Sequence, residues 1–136
     1  NAGILLTQVQ YLKSNDYKNF AVVDAAMNDM LRPSLYGAWM DIQPITTNNN
    51  PERQYDVVGP VCESGDFLGK NRKLSIAEGD YLCLFGAGAY GFVMSSNYNS
   101  RLRVAEIMVA DNEAHVVRAR ENFEDLIKGE QGLPVE

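Results

Sequence analysis

Short apolar runs, broken at near-regular intervals by Gly, Asn, Asp and Pro, run through the chain, and this pattern predicts strands joined by turns. Residues 4–13 alternate, with Leu5, Thr7, Val9 and Tyr11 as the more apolar face against Leu6, Gln8 and Gln10. Ser14-Asn15-Asp16 is a turn signal and residues 20–24 are a second strand, so 4–24 is expected to form a hairpin. Met27, Met30 and Leu31 fall at helical spacing, which predicts an irregular or single-turn helical segment from Ala25. It should end near Arg32, because Pro33 restricts the residue before it. Residues 36–45 are expected to be extended, 46–51 a polar loop and 54–61 a strand. Gly69-Lys70-Asn71-Arg72-Lys73 reads as a polar turn and Gly79-Asp80 as a tight one. Residues 81–85 have little polarity and read as a strand buried on both sides. Residues 103–109 and 114–120 alternate across Asp111-Asn112, a second hairpin. Residues 121–128 read as a short helix with Phe123, Leu126 and Ile127 on one face and Gly129 as its stop. The fold class is therefore mainly β, a β-sandwich or barrel-like domain with a short C-terminal helix.

Composition narrows the function classes. A chain of 136 residues suits one domain, and a hydrophobic fraction of 46% argues against disorder. No apolar run reaches the ~18 residues of a membrane span. The start lacks both a basic signal-peptide region and an initiator Met, so a fragment or processed piece is expected. The net charge is −6, with Lys and Arg scattered, so nucleic acid is not an expected partner. Two cysteines, Cys62 and Cys83, are too few for a disulfide framework and lack neighbours for zinc, which points to a reduced, cytoplasmic setting. The single histidine, His115, sits in an alternating run as a solvent-facing strand residue and leaves no Ser/His/Asp triad.

The candidate chemistry lies in three stretches. Gly59-Pro60-Val61-Cys62-Glu63-Ser64-Gly65-Asp66 is a loop carrying a thiol and carboxylates. Cys62 and Glu63 are either a buried thiol beside an exposed acid, or a proton donor and an ammonium ligand facing a bound molecule. Asp66 reads as a turn or salt-bridge residue. In Arg32-Pro33-Ser34-Leu35-Tyr36 the Arg and Tyr share a face if the stretch is helical. They are either a solvated Arg and a core-edge Tyr, or a carboxylate clamp with its phenol. Tyr90, in Gly86-Ala87-Gly88-Ala89-Tyr90-Gly91, is either packed in a tight turn or held where a phenol reaches a phosphate. The loop lacks the GxGxxG dinucleotide pattern.

Together with Gly3-Ile4-Leu5-Leu6-Thr7, Val23-Asp24-Ala25-Ala26-Met27-Asn28 and Met94-Ser95-Ser96-Asn97-Tyr98-Asn99, these motifs resemble, in order, the C-terminal domain of the alanine racemase-like (fold type III) pyridoxal-phosphate decarboxylases. The resemblance covers nearly the whole chain. It implies that residues 1–136 are a single C-terminal β domain of a larger, two-domain amino-acid decarboxylase. The missing N-terminal barrel would carry pyridoxal 5'-phosphate on a lysine, and the active sites would form in a homodimer. None of Lys13, Lys18, Lys70, Lys73 and Lys128 matches that lysine, so the isolated chain is expected to be inactive. By the same resemblance Tyr90 contacts the cofactor phosphate and approaches the substrate. Arg32 and Tyr36 bind the distal end of the substrate. Cys62 and Glu63 reach the partner subunit's site, the thiol near the cofactor and the acid on the distal ammonium. An Arg for a distal carboxylate and a Glu for a distal ammonium point to the diaminopimelate branch and to lysine biosynthesis. Decarboxylation of ornithine or arginine, and a non-catalytic dimerisation or regulatory domain, are the alternatives.

Overall fold

The computed structural model describes residues 2–134. The chain divides into two compact units, residues 1–95 and residues 96–136.

In the first unit β1 (Ile4–Ser14), β2 (Asn19–Val23), β3 (Ile42–Pro44), β4 (Arg53–Val58), β5 (Phe67–Leu74) and β6 (Tyr81–Phe85) form one sheet in the order β3-β6-β1-β2-β4-β5. All neighbours are antiparallel except β2 and β4. Long β1 serves two partners, β6 along Ile4–Gln8 and β2 from Val9 onward. The sheet curls until its edges meet: a Cβ on Gly69 of β5 would stand 2.7 Å from Ile42 Cδ1 of β3. The result is a nearly closed barrel rather than two stacked sheets. Its core holds Val9, Ala21, Val23, Met30, Val57, Leu68, Leu82 and Leu84.

The mainly-β expectation holds, as do the first hairpin and the strand over 81–85, whose three central residues are buried. Three local expectations do not. Tyr11 is 57% exposed, not on the inner face, because a bulge between Val9 and Tyr11 shifts the alternation by one residue. The single turn expected before Pro33 forms where Asp29 N and Met30 N both donate to Ala26 O, and a separate helix follows it, α1 over Arg32–Tyr36. Pro33 occupies the first turn, where its missing N–H breaks no helical bond. Gly37, at φ 61°, closes the helix, so the extended segment expected over 36–45 shrinks to β3. Residues 69–73 are not a turn but the middle of β5. Asn71 there adopts φ 55° and donates its N–H to Asp56 Oδ1 at 2.8 Å, so a bulge absorbs the turn-forming residues without ending the strand.

The second unit holds the expected hairpin, β7 (Glu106–Ala110) with β8 (Glu113–Arg118), turning through Asp111 at φ 53°. His115 lies on β8 and is exposed, as expected. Helix α2 (Phe123–Leu126) is shorter than its pattern suggests. It starts on a reciprocal cap, in which the Asn122 side chain accepts from Asp125 N and the Asp125 side chain accepts from Asn122 N. Glu121, just before it, accepts from Arg103 N at 2.8 Å and Asn97 Nδ2 at 2.6 Å and pairs with Arg103 Nη1 at 3.2 Å. These contacts, the Arg103 backbone bond foremost, hold its carboxyl below the usual range against the opposing push of burial. A carboxyl depressed on folding stabilises above its unfolded pKa of about 4.3 and loses that contribution as pH falls through the folded value. The amide signals of Asn97 and Arg103 should therefore titrate together with a midpoint below about 4.3, and Glu121→Gln should abolish that titration. A midpoint at or above the unfolded value would sink the assignment. No helix among the described residues is long and apolar enough to cross a membrane.

Candidate active site

Two loops and one short helix carry the candidate residues. The loop between β4 and β5 closes with Gly59 N donating to Asp66 O at 3.2 Å, and turns tightly where Asp66 N donates to Glu63 O at 3.0 Å. Asp66 is its internal post. Its buried carboxylate accepts from Met27 N at 2.7 Å and Val61 N at 2.8 Å. It is a turn residue, as its position suggested. Gly59 is required beside it, because a Cβ there would stand 2.4 Å from Asp66 Oδ2 and 2.8 Å from Ala25 O.

Cys62 is free and exposed on this loop, which removes the reading of a buried thiol. Cys83 is the buried cysteine, and burial first, with Asp41 second, pushes its thiol pKa up. Glu63 is exposed, and its carboxylate accepts from Ser64 Oγ at 3.2 Å and Gly65 N at 3.1 Å.

Helix α1 stands against this loop. Ser34 Oγ donates to Gly65 O at 2.6 Å and lies 3.2 Å from Phe67 O. That tether fixes Arg32, two residues earlier, relative to Cys62 and Glu63. Ser34 lies inside the RPSLY motif, but its residue type gave no sign of this role. Tyr36 ends α1 with 66% of its surface exposed.

The third piece is the loop after β6. Ala87 N and Gly88 N donate to Gly3 O and Ala2 O, which fastens the loop to the start of β1. A Cβ on Gly88 would stand 2.3 Å from Ala2 O, so the close approach requires glycine. Tyr90 projects from this loop, 55% exposed, with Arg32 Cζ 5.6 Å from its ring centroid. This cation–π distance brings together two residues 58 positions apart in sequence. The structure therefore joins Arg32 to Tyr90 directly, and α1 to the Cys62–Glu63 loop through Ser34.

The arrangement offers a guanidinium and a phenol side by side, both donors to an anion, with a thiol and a carboxylate on the neighbouring loop. This donor set fits the phosphate and polar groups of pyridoxal phosphate and an amino-acid ligand. None of these side chains is an amine; Lys18 pairs with Asp56 at 2.6 Å, and Lys70 lies over the Phe67 ring at 3.7 Å.

Comparison with known proteins bears on the same surface. The family described as "Pyridoxal-dependent decarboxylase, C-terminal sheet domain" matches residues 1–88, which include Arg32, Tyr36, Cys62 and Glu63 and stop two residues before Tyr90. Diaminopimelate decarboxylase of Pseudomonas aeruginosa is 58% identical over 134 residues, 98% of this chain and 32% of that protein. That of Haemophilus influenzae is 58% identical over 127 residues, 93% of this chain and 31% of that protein. The crystal structure of diaminopimelate decarboxylase from Helicobacter pylori complexed with L-lysine superposes with a TM-score of 0.84 at 45% identity, over 92% of this chain and 31% of that one. The chain thus spans about a third of the length of these relatives.

Proposed function

The chain belongs to the C-terminal sheet-domain family of the pyridoxal-dependent decarboxylases, and from that membership we propose that it is the substrate- and cofactor-contacting domain of a diaminopimelate decarboxylase. The full-length protein would convert meso-diaminopimelate to L-lysine and carbon dioxide, in the cytoplasm and as a homodimer. The observation that carries the reading is the placement of Arg32 beside Tyr90, a guanidinium and a phenol on one surface.

Pyridoxal phosphate, when bound, takes up the electron pair left on the substrate carbon as carbon dioxide departs. The residues of this chain do the rest by position and charge. The Tyr90 phenol donates to the cofactor phosphate. Arg32, its direction fixed by α1, grips the distal carboxylate of the substrate with two parallel hydrogen bonds, and Tyr36 lines the same end. Glu63 would leave Ser64 and Gly65 to pair with the distal ammonium in the partner subunit's site. Cys62 would hold a proton at Sγ and deliver it there to the reacting carbon in place of the departed carboxylate. Ornithine has no distal carboxylate and would leave Arg32 unpaired, which sets the preference. The chain alone, without the amine that holds the cofactor, would not turn over.

The test is carbon dioxide release by the full-length protein with pyridoxal phosphate, on meso-diaminopimelate, ornithine and arginine, with and without Glu63→Asp. Diaminopimelate should be preferred, and the shorter acid should lower its kcat/KM about tenfold or more, because the ammonium contact lengthens. Preference for ornithine or arginine would overturn the substrate. No turnover on any of the three would overturn the enzymatic reading in favour of a regulatory one.

A further inference from the structure

Ser34 is a polar side chain that the proposed chemistry does not use, although it sits on α1 between Arg32 and Tyr36. Its hydroxyl donates to Gly65 O at 2.6 Å, across 31 positions of sequence. That carbonyl belongs to the peptide group joining Gly65 to Asp66, and a peptide group is a rigid plane. The N–H of the same plane, Asp66 N, donates to Glu63 O at 3.0 Å. Gly65 N donates to Glu63 Oε1 at 3.1 Å, and Ser64 Oγ lies 3.2 Å from the same oxygen. Glu63 is thus held, by backbone and by side chain, on the residues that Ser34 pins.

The two sides of this tether are not equally firm. Helix α1 carries its own bonds, Leu35 N to Leu31 O at 2.9 Å and Gly37 N to Pro33 O at 3.0 Å, and it buries Pro33. The ends of the loop are fixed by Asp66 on Val61 N and Met27 N. Between those ends Cys62, Glu63 and Ser64 are exposed. Loss of the Ser34 hydroxyl would not orphan Gly65 O, which also accepts from Phe67 N at 2.8 Å, so the fold should survive. The peptide plane beneath Glu63 would lose its anchor on the helix, and a small misplacement of a binding group is costly to rate. We infer that Ser34 is a positioning residue: through the Gly65–Asp66 peptide it sets the place from which Glu63 reaches the distal ammonium of the substrate. The inference rests on the functional reading, in which Glu63 makes that contact.

The test is a double-mutant cycle in the full-length protein with pyridoxal phosphate, with kcat/KM for meso-diaminopimelate expressed per bound cofactor. Ser34→Ala should lower kcat/KM about tenfold in the wild type. In Glu63→Gln the same change should cost less than about twofold, because the charge that Ser34 positions is already gone. In Arg32→Ala the full loss should persist, since α1 holds Arg32 by its own backbone bonds. No loss in the wild type would overturn the inference. So would an equal loss in Glu63→Gln, the mark of a merely structural effect, or a loss that vanishes in Arg32→Ala, which would route it through the helix. A wild type that does not prefer meso-diaminopimelate to ornithine, or a Glu63→Gln variant that matches it, would overturn the functional reading and this inference with it. A preserved preference with additive losses would overturn the inference alone.

Discussion

Arg32→Ala in the full-length protein should lower kcat/KM for meso-diaminopimelate by about 100-fold or more, and leave turnover of ornithine nearly unchanged. Truncating one member of a desolvated, hydrogen-bonded charge pair costs about 2–5 kcal/mol, and each 1.4 kcal/mol is a factor of ten. Arg32 is half-buried, stacked near Tyr90 and carried by a helix whose Ser34 is bonded to the neighbouring loop. It reaches any ligand already oriented, so little of the interaction is lost to ordering the side chain. Arg32→Lys keeps the charge but not the planar fork and should fall between the two. Tyr90→Phe separates the contributions: the ring under Arg32 stays, while the phenol proposed for the phosphate is lost. That variant should need more pyridoxal phosphate for half-saturation, with the substrate preference intact. Equal losses on diaminopimelate and ornithine for Arg32→Ala would mean that Arg32 does not read the distal carboxylate.

Gly59→Ala should destabilise the protein by about 3 kcal/mol, the upper part of the range for forced overpacking. The added Cβ would meet both carboxylate oxygens of Asp66, at 2.4 and 2.6 Å, and Ala25 O at 2.8 Å. Asp66 cannot retreat without releasing Met27 N and Val61 N. The damage passes directly to the Cys62–Glu63 loop, so activity should fall with stability. Gly65→Ala, in the same loop, is the control. Its new Cβ would come no closer than 3.7 Å to the flexible Glu63 side chain, so the change should stay within about 0.5 kcal/mol. Urea midpoints for the two variants decide the matter; if they coincide, Asp66 is not what sets the loop.

Much of this is written locally. Alternation and turn residues place β1, β2, β6 and the β7–β8 hairpin, because each needs only a period of two and a turn that its own residues favour. The loop motifs around Cys62 and Tyr90, and the Arg32–Tyr36 stretch, are contiguous and therefore readable as strings. The segment over Gly69 to Lys73 is misread for a definite reason: it has the composition of a turn, but pairing with β4 holds it in a bulged strand. A partner remote in sequence outweighs the local preference.

The chain order of residues was enough to point to a mainly β domain and to single out Arg32, Tyr36, Cys62, Glu63 and Tyr90 as candidates. Only the folded chain settles which of these meet. Arg32 and Tyr90 come together because the β6 loop is fastened to Gly3 and Ala2, and α1 reaches the Cys62 loop through Ser34 Oγ on Gly65 O. The burial of Arg72 beneath Trp39 is equally invisible in the string, where it sits among polar residues. Secondary structure follows from near neighbours, which a sequence displays. Sites follow from contacts between segments far apart in the chain, and those depend on where the sheet closes and which backbone groups its loops capture.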